Sequence, residues 1–312
     1  MVAAIARAAF SVLADNHWLK RVASRYGLRR PGSFARRFIA GETVPEAVAA
    51  ARTLEADGLS VTLDLLGERV ASREEAARAA DAYTATMAEV ERAGISRNLS
   101  LKLTQLGLTI DRATTIDTLR RVLDAASAGG FFVRIDMEGS AYTDATLDIF
   151  ETLWGLGYHG AGVVVQSALR RSDRDVRRLN ALGARVRLVK GAYHEPAEVA
   201  FTRKADVDAA FVDLMTLLIG EGTYPAIATH DPAMIDRAKR LAAHAGVHPN
   251  AFEFQMLYGV RRDLQASLVA EGFQVRVYVP FGTEWFPYFM RRLGERPANV
   301  GFVMKSVLRE QR

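Results

Sequence analysis

The chain has 312 residues, of which 49% are hydrophobic and 25% charged, and its formal net charge is +5. This size and composition are typical of a globular enzyme that buries a large core. The absence of cysteine excludes disulfides, thiolate metal sites and cysteine nucleophiles, and it fits a reducing compartment. Because the sequence has no run of 18 apolar residues, we expect no membrane-spanning helix.

The first forty residues are strongly basic. They contain eight basic side chains and one acidic residue, Asp15, with Phe10 and Trp18 between them. Two interpretations stay open: a pair of helices that packs on the rest of the molecule, or a leader that lies on an anionic membrane surface. Since the rest of the chain is not basic, we expect no nucleic-acid partner. Arg7 interrupts the first apolar stretch, so a signal peptide is not indicated. We expect a cytoplasmic protein, with peripheral contact to the inner face of the membrane as an open alternative.

From residue 41 onwards, short β-branched runs alternate with longer segments of helical periodicity, which is the pattern of parallel βα units. Eight runs predict strands at 61–66, 98–103, 131–138, 162–166, 185–190, 225–230, 252–256 and 274–279. Helical segments such as 73–94 and 206–222 lie between them and end on glycine. The pattern predicts an α/β protein with a (βα)8 TIM-type barrel over residues 58–312, preceded by a helical extension over residues 1–57.

The C-terminal ends of the predicted strands, where barrel enzymes carry their active sites, are rich in polar residues. These residues are Asp64, Lys102, Asp136, Gln166, Arg187, Lys190, Thr229, His230, Glu253, Gln255 and Tyr278. The alternation of side chains along a strand places Arg187, Arg276 and Tyr278 on the inner face of the barrel. A purely structural core does not need so many polar groups at one mouth, so the pattern favours an enzyme.

Two other kinds of site are less well supported by the sequence. The motif GLGYHG at 155–160 has dinucleotide-binding spacing, but it follows a predicted helix and precedes a strand, so we predict a helix-to-strand turn. The six histidines show no convincing metal-ligand spacing. A metal-dependent or lyase-type barrel enzyme that acts on a small carboxylate, with His230, Asp231 and Asp136, stays open as the alternative function.

The segment TEWFPYFMRRLGERP at 283–297 predicts a helix directly after the last strand. Tyr288, Arg291, Arg292 and Glu295 lie at i, i+3, i+4 and i+7, so they share one helical face. Two adjacent guanidinium groups can clamp a carboxylate, while Glu295 holds one of them and the aromatic ring covers the ligand. An exposed amphipathic helix would also explain these charges, but not their place at the barrel mouth.

Eight segments, in order along the chain, resemble the proline dehydrogenase family, whose catalytic domain is a distorted (βα)8 barrel that binds FAD. They are LDLLGE (63–68), SLKLTQLG (100–107), RIDMEGS (134–140), VVVQSALRR (163–171), RLVKGAY (187–193), ATHD (228–231), FEFQMLYG (252–259) and YFMRRLGERPAN (288–299). The resemblance covers nearly all of residues 60–300. At this length the chain is similar to the monofunctional bacterial members, not to those fused to an aldehyde dehydrogenase.

The resemblance implies a function. It implies that the chain oxidises L-proline to pyrroline-5-carboxylate, the first step of proline catabolism, by hydride transfer to FAD. It also implies that a quinone receives the electrons and that a pyrroline-5-carboxylate dehydrogenase is a candidate partner for the product. A basic N-terminal segment on the membrane would suit a membrane quinone.

The family's residue roles transfer onto matching positions of this chain. Catalytic roles are implied for Asp136 and for Arg187, which would contact the flavin near its reactive nitrogen. Substrate contacts are implied for Lys102, Tyr278, Tyr288, Arg291, Arg292 and Glu295. Cofactor contacts are implied for Met137, Val164, Gln166, Arg187, Lys190, Gly191, Ala192, Tyr193, Thr229, His230 and Glu253, of which Glu253 would hold the outer part of FAD. His194 departs from the family pattern, since many relatives carry tryptophan there.

Overall fold

The computed structural model describes residues 34–193 and 195–295, and for Phe34 and residues 291–295 it describes the backbone alone. Within these ranges eight strands alternate with helices. The strands are β1 Ser60–Leu65, β2 Asn98–Leu101, β3 Phe132–Ile135, β4 Ala161–Gln166, β5 Arg185–Val189, β6 Ala226–Ala228, β7 Glu253–Leu257 and β8 Gln274–Phe281. The α-helices are α1 Val44–Ala56, α2 Arg73–Ala93, α3 Arg112–Gly129, α4 Thr143–Gly155, α5 Ser172–Ala181, α6 Lys204–Glu221, α7 Pro232–His244, α8 Arg262–Ala270 and α9 Trp285–Glu295.

The eight strands form a closed parallel barrel in sequence order. It closes where β8 pairs with β1, so that Ser60 lies opposite Arg276 and Leu65 lies opposite Phe281. The predicted (βα)8 TIM-type barrel is therefore confirmed, and each predicted strand overlaps an observed one. The second predicted strand was too long: β2 ends at Leu101, because the chain turns there into a short 3-10 helix, Leu103–Leu106.

The helix boundaries follow local capping chemistry. Helix α1 begins with a capping box, in which the Thr43 side chain accepts from the Glu46 amide and the Glu46 carboxylate accepts from the Thr43 amide. The predicted helices 73–94 and 206–222 correspond to α2 and α6 within two residues at each end. The GLGYHG segment connects the end of α4 to β4, so the predicted helix-to-strand turn is confirmed.

The two faces of the barrel strands differ in chemistry. Outward-facing aliphatic side chains such as Leu63, Ile135 and Leu188 are fully buried in the main core. Interiors of such barrels are usually filled by branched aliphatic residues. Here many inward positions are instead polar or charged, and they are buried as well: Thr62, Asp64, Ser100, Arg134, Arg187, Glu253 and Gln255. Burying polar groups of this kind carries a free-energy cost unless they are hydrogen-bonded.

At the N-terminal end of the barrel, Arg134 crosses the interior. Its Nη1 donates to the carbonyl oxygens of Val163, at 3.1 Å, and Arg185, at 2.6 Å. Gly162 makes room for this side chain, because a Cβ at that position would lie 2.7 Å from Arg134 Nη1. The polar interior at this end is thus filled by protein groups, and open space lies towards the opposite end.

A second apolar cluster joins the N-terminal part of the described chain to the region after β8. Phe38 packs 6.5 Å from Phe289 between ring centres, and the Trp285 indole donates to Glu42 at 3.1 Å. Helix α1 packs against β1 and β8, and its Ala47 belongs to the main core. The predicted division into residues 1–57 and 58–312 stays a prediction, since residues 1–33 lie outside the described residues. Across the described ranges, no helix has both the length and the apolar character needed to cross a membrane.

Candidate active site

A cavity of about 700 Å³ opens at the C-terminal ends of the strands. Its size falls within the usual range of small-molecule and cofactor sites. Fourteen of the residues predicted from the sequence line it: Lys102, Asp136, Met137, Val164, Gln166, Arg187, Lys190, Gly191, Ala192, Tyr193, Thr229, His230, Tyr278 and Tyr288. The structure thus brings these side chains together at one place, while their individual roles stay predictions.

The floor of the cavity is organised around Asp136, the residue that follows β3. Its Oδ1 accepts from Arg187 Nη1 at 2.8 Å and from Ser100 Oγ at 2.8 Å. Its Oδ2 accepts from the Tyr278 hydroxyl at 3.0 Å. Arg187 and Tyr278 therefore point into the barrel as their alternation predicted, and side chains from β2, β5 and β8 converge on one carboxylate.

Lys102 extends this network towards β1. Its Nζ lies 3.3 Å from both carboxylate oxygens of Asp64 and 3.7 Å from Asp136 Oδ2. Burial alone would lower the pKa of this ammonium group, but the charges of Asp64 and Asp136 outweigh burial and raise the pKa above its ordinary value. Lys102 is consequently a cation at the cavity floor.

The Tyr278 hydroxyl is also held in one protonation state. Burial, followed by the charges of Asp136 and Asp64, raises its pKa well above the ordinary value. The phenol therefore stays neutral and keeps donating to Asp136. The Arg187 guanidinium lies 5.5 Å from the centre of the Tyr278 ring, which adds a cation–π contact on the same wall.

Arg187 has N–H donors that the described residues around it do not use. The residue is 5% exposed, and its Nη1 is bonded to Asp136 and, at 3.3 Å, to Ser100. Its Nε and Nη2 are buried without a hydrogen-bond partner among the described residues. Buried donors without a partner are rare and carry a free-energy cost, so a ligand that accepts from them would bind favourably at this depth.

The rim of the cavity is formed by the ends of β5 and β6. Lys190 Nζ contacts Asp208 at 2.6 Å and Asp231 at 3.1 Å. Gly191 follows with a φ of +112°, in the region that favours glycine, and a Cβ there would lie 3.1 Å from Gln166 Oε1. The backbone at this position can thus approach a ligand closely.

Glu253 lies outside the cavity lining, and its predicted contact with the outer part of a cofactor stays a prediction. It is the first residue of β7, 3% exposed. Arg276 Nε donates to both of its carboxylate oxygens at 3.0 Å. The residue two positions further along the same strand face, Gln255, lines the cavity instead. Glu253 therefore belongs to the buried interior below the site.

Several predicted residues lie beyond what the structure describes. The helix predicted after the last strand is observed as α9, but the side chains of Arg291, Arg292 and Glu295 are outside the described part. His194 and the basic residues before Phe34 lie outside it as well. The arginine clamp and the basic leader therefore stay predictions.

Sequence reasoning assigned no role to several residues that the structure brings to the site. Asp64 was noted as a polar strand end, but its contact with Lys102 depends on the pairing of β1 with β2. On the cavity wall, six residues have no role predicted from the sequence: Val189, Ala228, Pro232, Met256, Leu257 and Arg261. Gln255 and Asp231 also line the cavity, the first predicted only as a polar strand end and the second only in the metal alternative. Arg261 carries a signal that appears in the structure alone, a φ of +51° that is uncommon for a residue other than glycine.

The alternative with His230, Asp231 and Asp136 as metal ligands does not agree with the geometry. His230 Nε2 accepts from the Leu257 amide at 2.9 Å, Asp231 pairs with Lys190, and Asp136 pairs with Arg187. Each group thus has a different partner. In the part of the chain that the structure describes, no group of three or more His, Asp or Glu side chains is placed to hold a metal ion.

A closed (βα)8 barrel with a charged cavity at the C-terminal ends of its strands is the arrangement of a barrel enzyme. The family model described as proline dehydrogenase matches residues 47–305. The chain therefore belongs to the proline dehydrogenase family.

Curated relatives agree with this assignment over almost their whole length. The chain is 40% identical to proline dehydrogenase 1 of Bacillus subtilis over 97% of this chain and 99% of that protein. It is 42% identical to proline dehydrogenase of Deinococcus radiodurans over 89% of this chain and 91% of that protein. Among solved structures, proline utilization A from Bdellovibrio bacteriovorus, inactivated by N-propargylglycine, has a TM-score of 0.79 at 27% identity, over 83% of this chain and 32% of that one.

Proposed function

We propose that this chain oxidises L-proline to pyrroline-5-carboxylate with FAD as its bound cofactor. The observation that carries the proposal is Arg187, a buried cation on the cavity wall whose Nε and Nη2 have no partner among the described residues. A flavin ring presents nitrogen and oxygen acceptors along one edge, which suits two parallel N–H donors. Membership of the family and the names of the relatives support the same reaction.

The rest of the cavity fits a long cofactor that carries phosphate. Met137, Val164 and Gln166 offer a mixed apolar and polar wall for the ring system. Lys190 supplies a cation at the rim, and Gly191 lets backbone N–H groups approach the ligand. We propose that these residues hold FAD, together with Ala192, Tyr193, Thr229 and His230. When bound, FAD supplies the acceptor for the hydride that the substrate loses.

The proposed substrate needs a carboxylate clamp and a place for its ring. We assign the clamp to Arg291 and Arg292, with Glu295 in support, on the resemblance alone. Tyr278 and Tyr288 line the cavity and are proposed to cover the proline ring. In the reaction the substrate loses a hydride from the ring carbon next to nitrogen, which FAD would accept, and a proton from the nitrogen itself, which would pass to water.

The charge of the site favours the reactive form of the substrate. Hydride loss requires the neutral amine, and a nearby cation lowers the pKa of an ammonium group. Lys102 and Arg187 both line the cavity. We propose that they favour the neutral amine, while Asp136 keeps both cations in place. Orientation and electrostatics are thus the contribution of the protein.

We further propose that a quinone receives the electrons and that the basic N-terminal segment brings a cytoplasmic protein to the inner membrane face. The support for this part is the charge of residues 1–40. The bifunctional protein PutA of Escherichia coli is 29% identical over 85% of this chain and 23% of that protein. We propose that a pyrroline-5-carboxylate dehydrogenase takes the product of this chain.

A reconstitution experiment tests the proposal. Protein stripped of its small molecules should show no L-proline-dependent reduction of an artificial dye, and added FAD should restore the activity. Added nicotinamide dinucleotide or divalent metal ions serve as controls and should not restore it. Activity that returns with either control, or that fails to return with FAD in folded protein, would overturn the proposal.

A further inference from the structure

Asp64 on β1 is the most enclosed charged residue next to the cavity, and the proposed reaction gives it no role. Its side chain is 0% exposed. Both of its oxygens lie 3.3 Å from Lys102 Nζ. A buried carboxylate is costly unless it is paired and hydrogen-bonded. Burial raises the pKa of Asp64 above its ordinary value, and the charge of Lys102 opposes this by favouring the carboxylate.

Lys102 is held from three sides. An ammonium group has three N–H donors, and three acceptors surround this one. Asp64 approaches from β1 at 3.3 Å, the Tyr278 hydroxyl from β8 at 3.5 Å, and Asp136 Oδ2 from the end of β3 at 3.7 Å. Asp64 makes the shortest of these contacts and makes it with both oxygens. Asp64 also acts on the Tyr278 hydroxyl, whose pKa its charge raises.

The partners of Lys102 differ in what else they bind. Asp136 also accepts from Arg187, Ser100 and Tyr278, so it is shared. The charged and titratable groups that act on Lys102 are Asp64 and Glu68 from β1 and the turn after it, Tyr83 from α2, Asp136 and Glu138 from β3 and its end, Arg187 from β5 and Tyr278 from β8. Asp64 and Asp136 supply the nearest negative charge, and together they outweigh the burial of the ammonium.

We propose that Asp64 is a positioning residue that acts on the reaction through Lys102. It keeps the ammonium fixed and charged at the cavity floor, so that Lys102 favours the neutral substrate amine by its charge and does not itself accept the amine proton. This inference rests on the proposed function, because it takes bound proline to lie beside Lys102.

The replacement Asp64→Asn tests the inference by its pH profile. The amide keeps the size of the side chain but removes the charge that stabilises the ammonium. We expect kcat to fall about 10- to 100-fold, the usual effect of losing a hydrogen bond between charged groups. We also expect the alkaline limb of the pH profile of kcat/KM to lie at lower pH than in the wild type, because Lys102 would lose its proton at lower pH without the charge of Asp64.

Thr62→Val is the matched control. Thr62 lies on the same strand, is 0% exposed, and its hydroxyl has no hydrogen-bond partner among the described residues. This variant should keep both kcat and the wild-type pH profile. If Asp64→Asn retains the wild-type profile, or if Thr62→Val shifts it equally, the inference is wrong.

A comparison of a double variant with Lys102→Met tests the inference even if Asp64→Asn alone does not fold. The double variant Asp64→Asn/Lys102→Met contains no unpaired buried ammonium, so it avoids that cost. If Asp64 acts through Lys102, the double variant should have the same kcat/KM for L-proline as Lys102→Met, because the second change removes nothing further. An additional loss of about tenfold or more would overturn the inference. A wild-type protein without L-proline oxidation would instead overturn the proposed function.

Discussion

The replacement Arg187→Met separates the structural role of this residue from its proposed contact with the cofactor. Methionine fills similar volume but removes the guanidinium that bonds Asp136 at 2.8 Å. It also removes the two buried N–H groups that have no partner among the described residues. Loss of the bond to Asp136 lowers the stability of the fold, whereas loss of the two donors without a partner weakens only the binding of a ligand.

The expected magnitudes follow from these contacts. Breaking a buried ion pair by removing one partner costs about 3–5 kcal/mol. Asp136 keeps its bonds from Ser100 and Tyr278, so we expect the lower end, about 3 kcal/mol in the free energy of unfolding. A hydrogen bond to a charged group contributes about 1.5–3 kcal/mol, so FAD affinity should fall at least roughly tenfold.

Two further variants separate the effect on stability from the effect on FAD affinity. In Arg187→Met/Asp136→Asn the carboxylate that lost its arginine is replaced by a neutral amide, so urea unfolding should show most of the stability restored while FAD affinity stays low. Arg276→Met is the second variant, and it breaks the buried ion pair between Arg276 and Glu253, which lies outside the cavity lining. The free energy of unfolding should fall in this variant, but its affinity for FAD should stay that of the wild type. Fluorescence titration with FAD measures the dissociation constants. If Arg187→Met binds FAD as tightly as the wild type, Arg187 does not contact the cofactor and the reasoning is refuted.

Three further predictions concern Glu253, Tyr278 and Arg291. Burial by itself would raise the pKa of Glu253, but the charge of Arg276 outweighs burial and lowers this pKa. The ionised Glu253 therefore stabilises the fold fully above the unfolded-state pKa of about 4.3, and this stabilisation is lost as pH falls through the folded-state pKa. In urea unfolding, the advantage of the wild type over Glu253→Gln should be present at pH 7 and shrink below about pH 4, and an advantage independent of pH would contradict this. In the wild type we expect kcat/KM for L-proline to exceed that for trans-4-hydroxy-L-proline by about 10². Tyr278→Ser should lower this ratio. An unchanged ratio would mean that Tyr278 does not cover the substrate ring. Arg291→Met should lower kcat/KM for L-proline about 10- to 150-fold with FAD content retained, whereas unchanged kinetics would mean that another group binds the carboxylate.

The fold was predictable because the barrel repeats one simple pattern. Alternation along β5 and β8 placed Arg187, Arg276 and Tyr278 inside, and their buried contacts confirm it. Alternation identifies the face of a strand but not the height of a residue along the barrel axis. Glu253 and Gln255 share the inner face of β7, yet only Gln255 of these two reaches the cavity.

Partners that come from different strands were less predictable than the strands themselves. Asp64 and Lys102 are separated by 38 positions, and their contact depends on how β1 and β2 align, with Asp64 opposite Ser100. Single-strand patterns carry no information about that alignment. The contact between Asp64 and Lys102 could therefore be found only in the structure.

On the proposed function, L-proline gives its electrons to a flavin bound in this cavity. The most direct measurement is the absorbance spectrum of the purified protein, saturated with FAD and freed of oxygen, before and after the addition of L-proline. We predict that the flavin bands bleach with L-proline and stay unchanged with buffer. A folded protein with bound FAD whose bands do not bleach with L-proline, or a protein that binds no FAD, would contradict the claim.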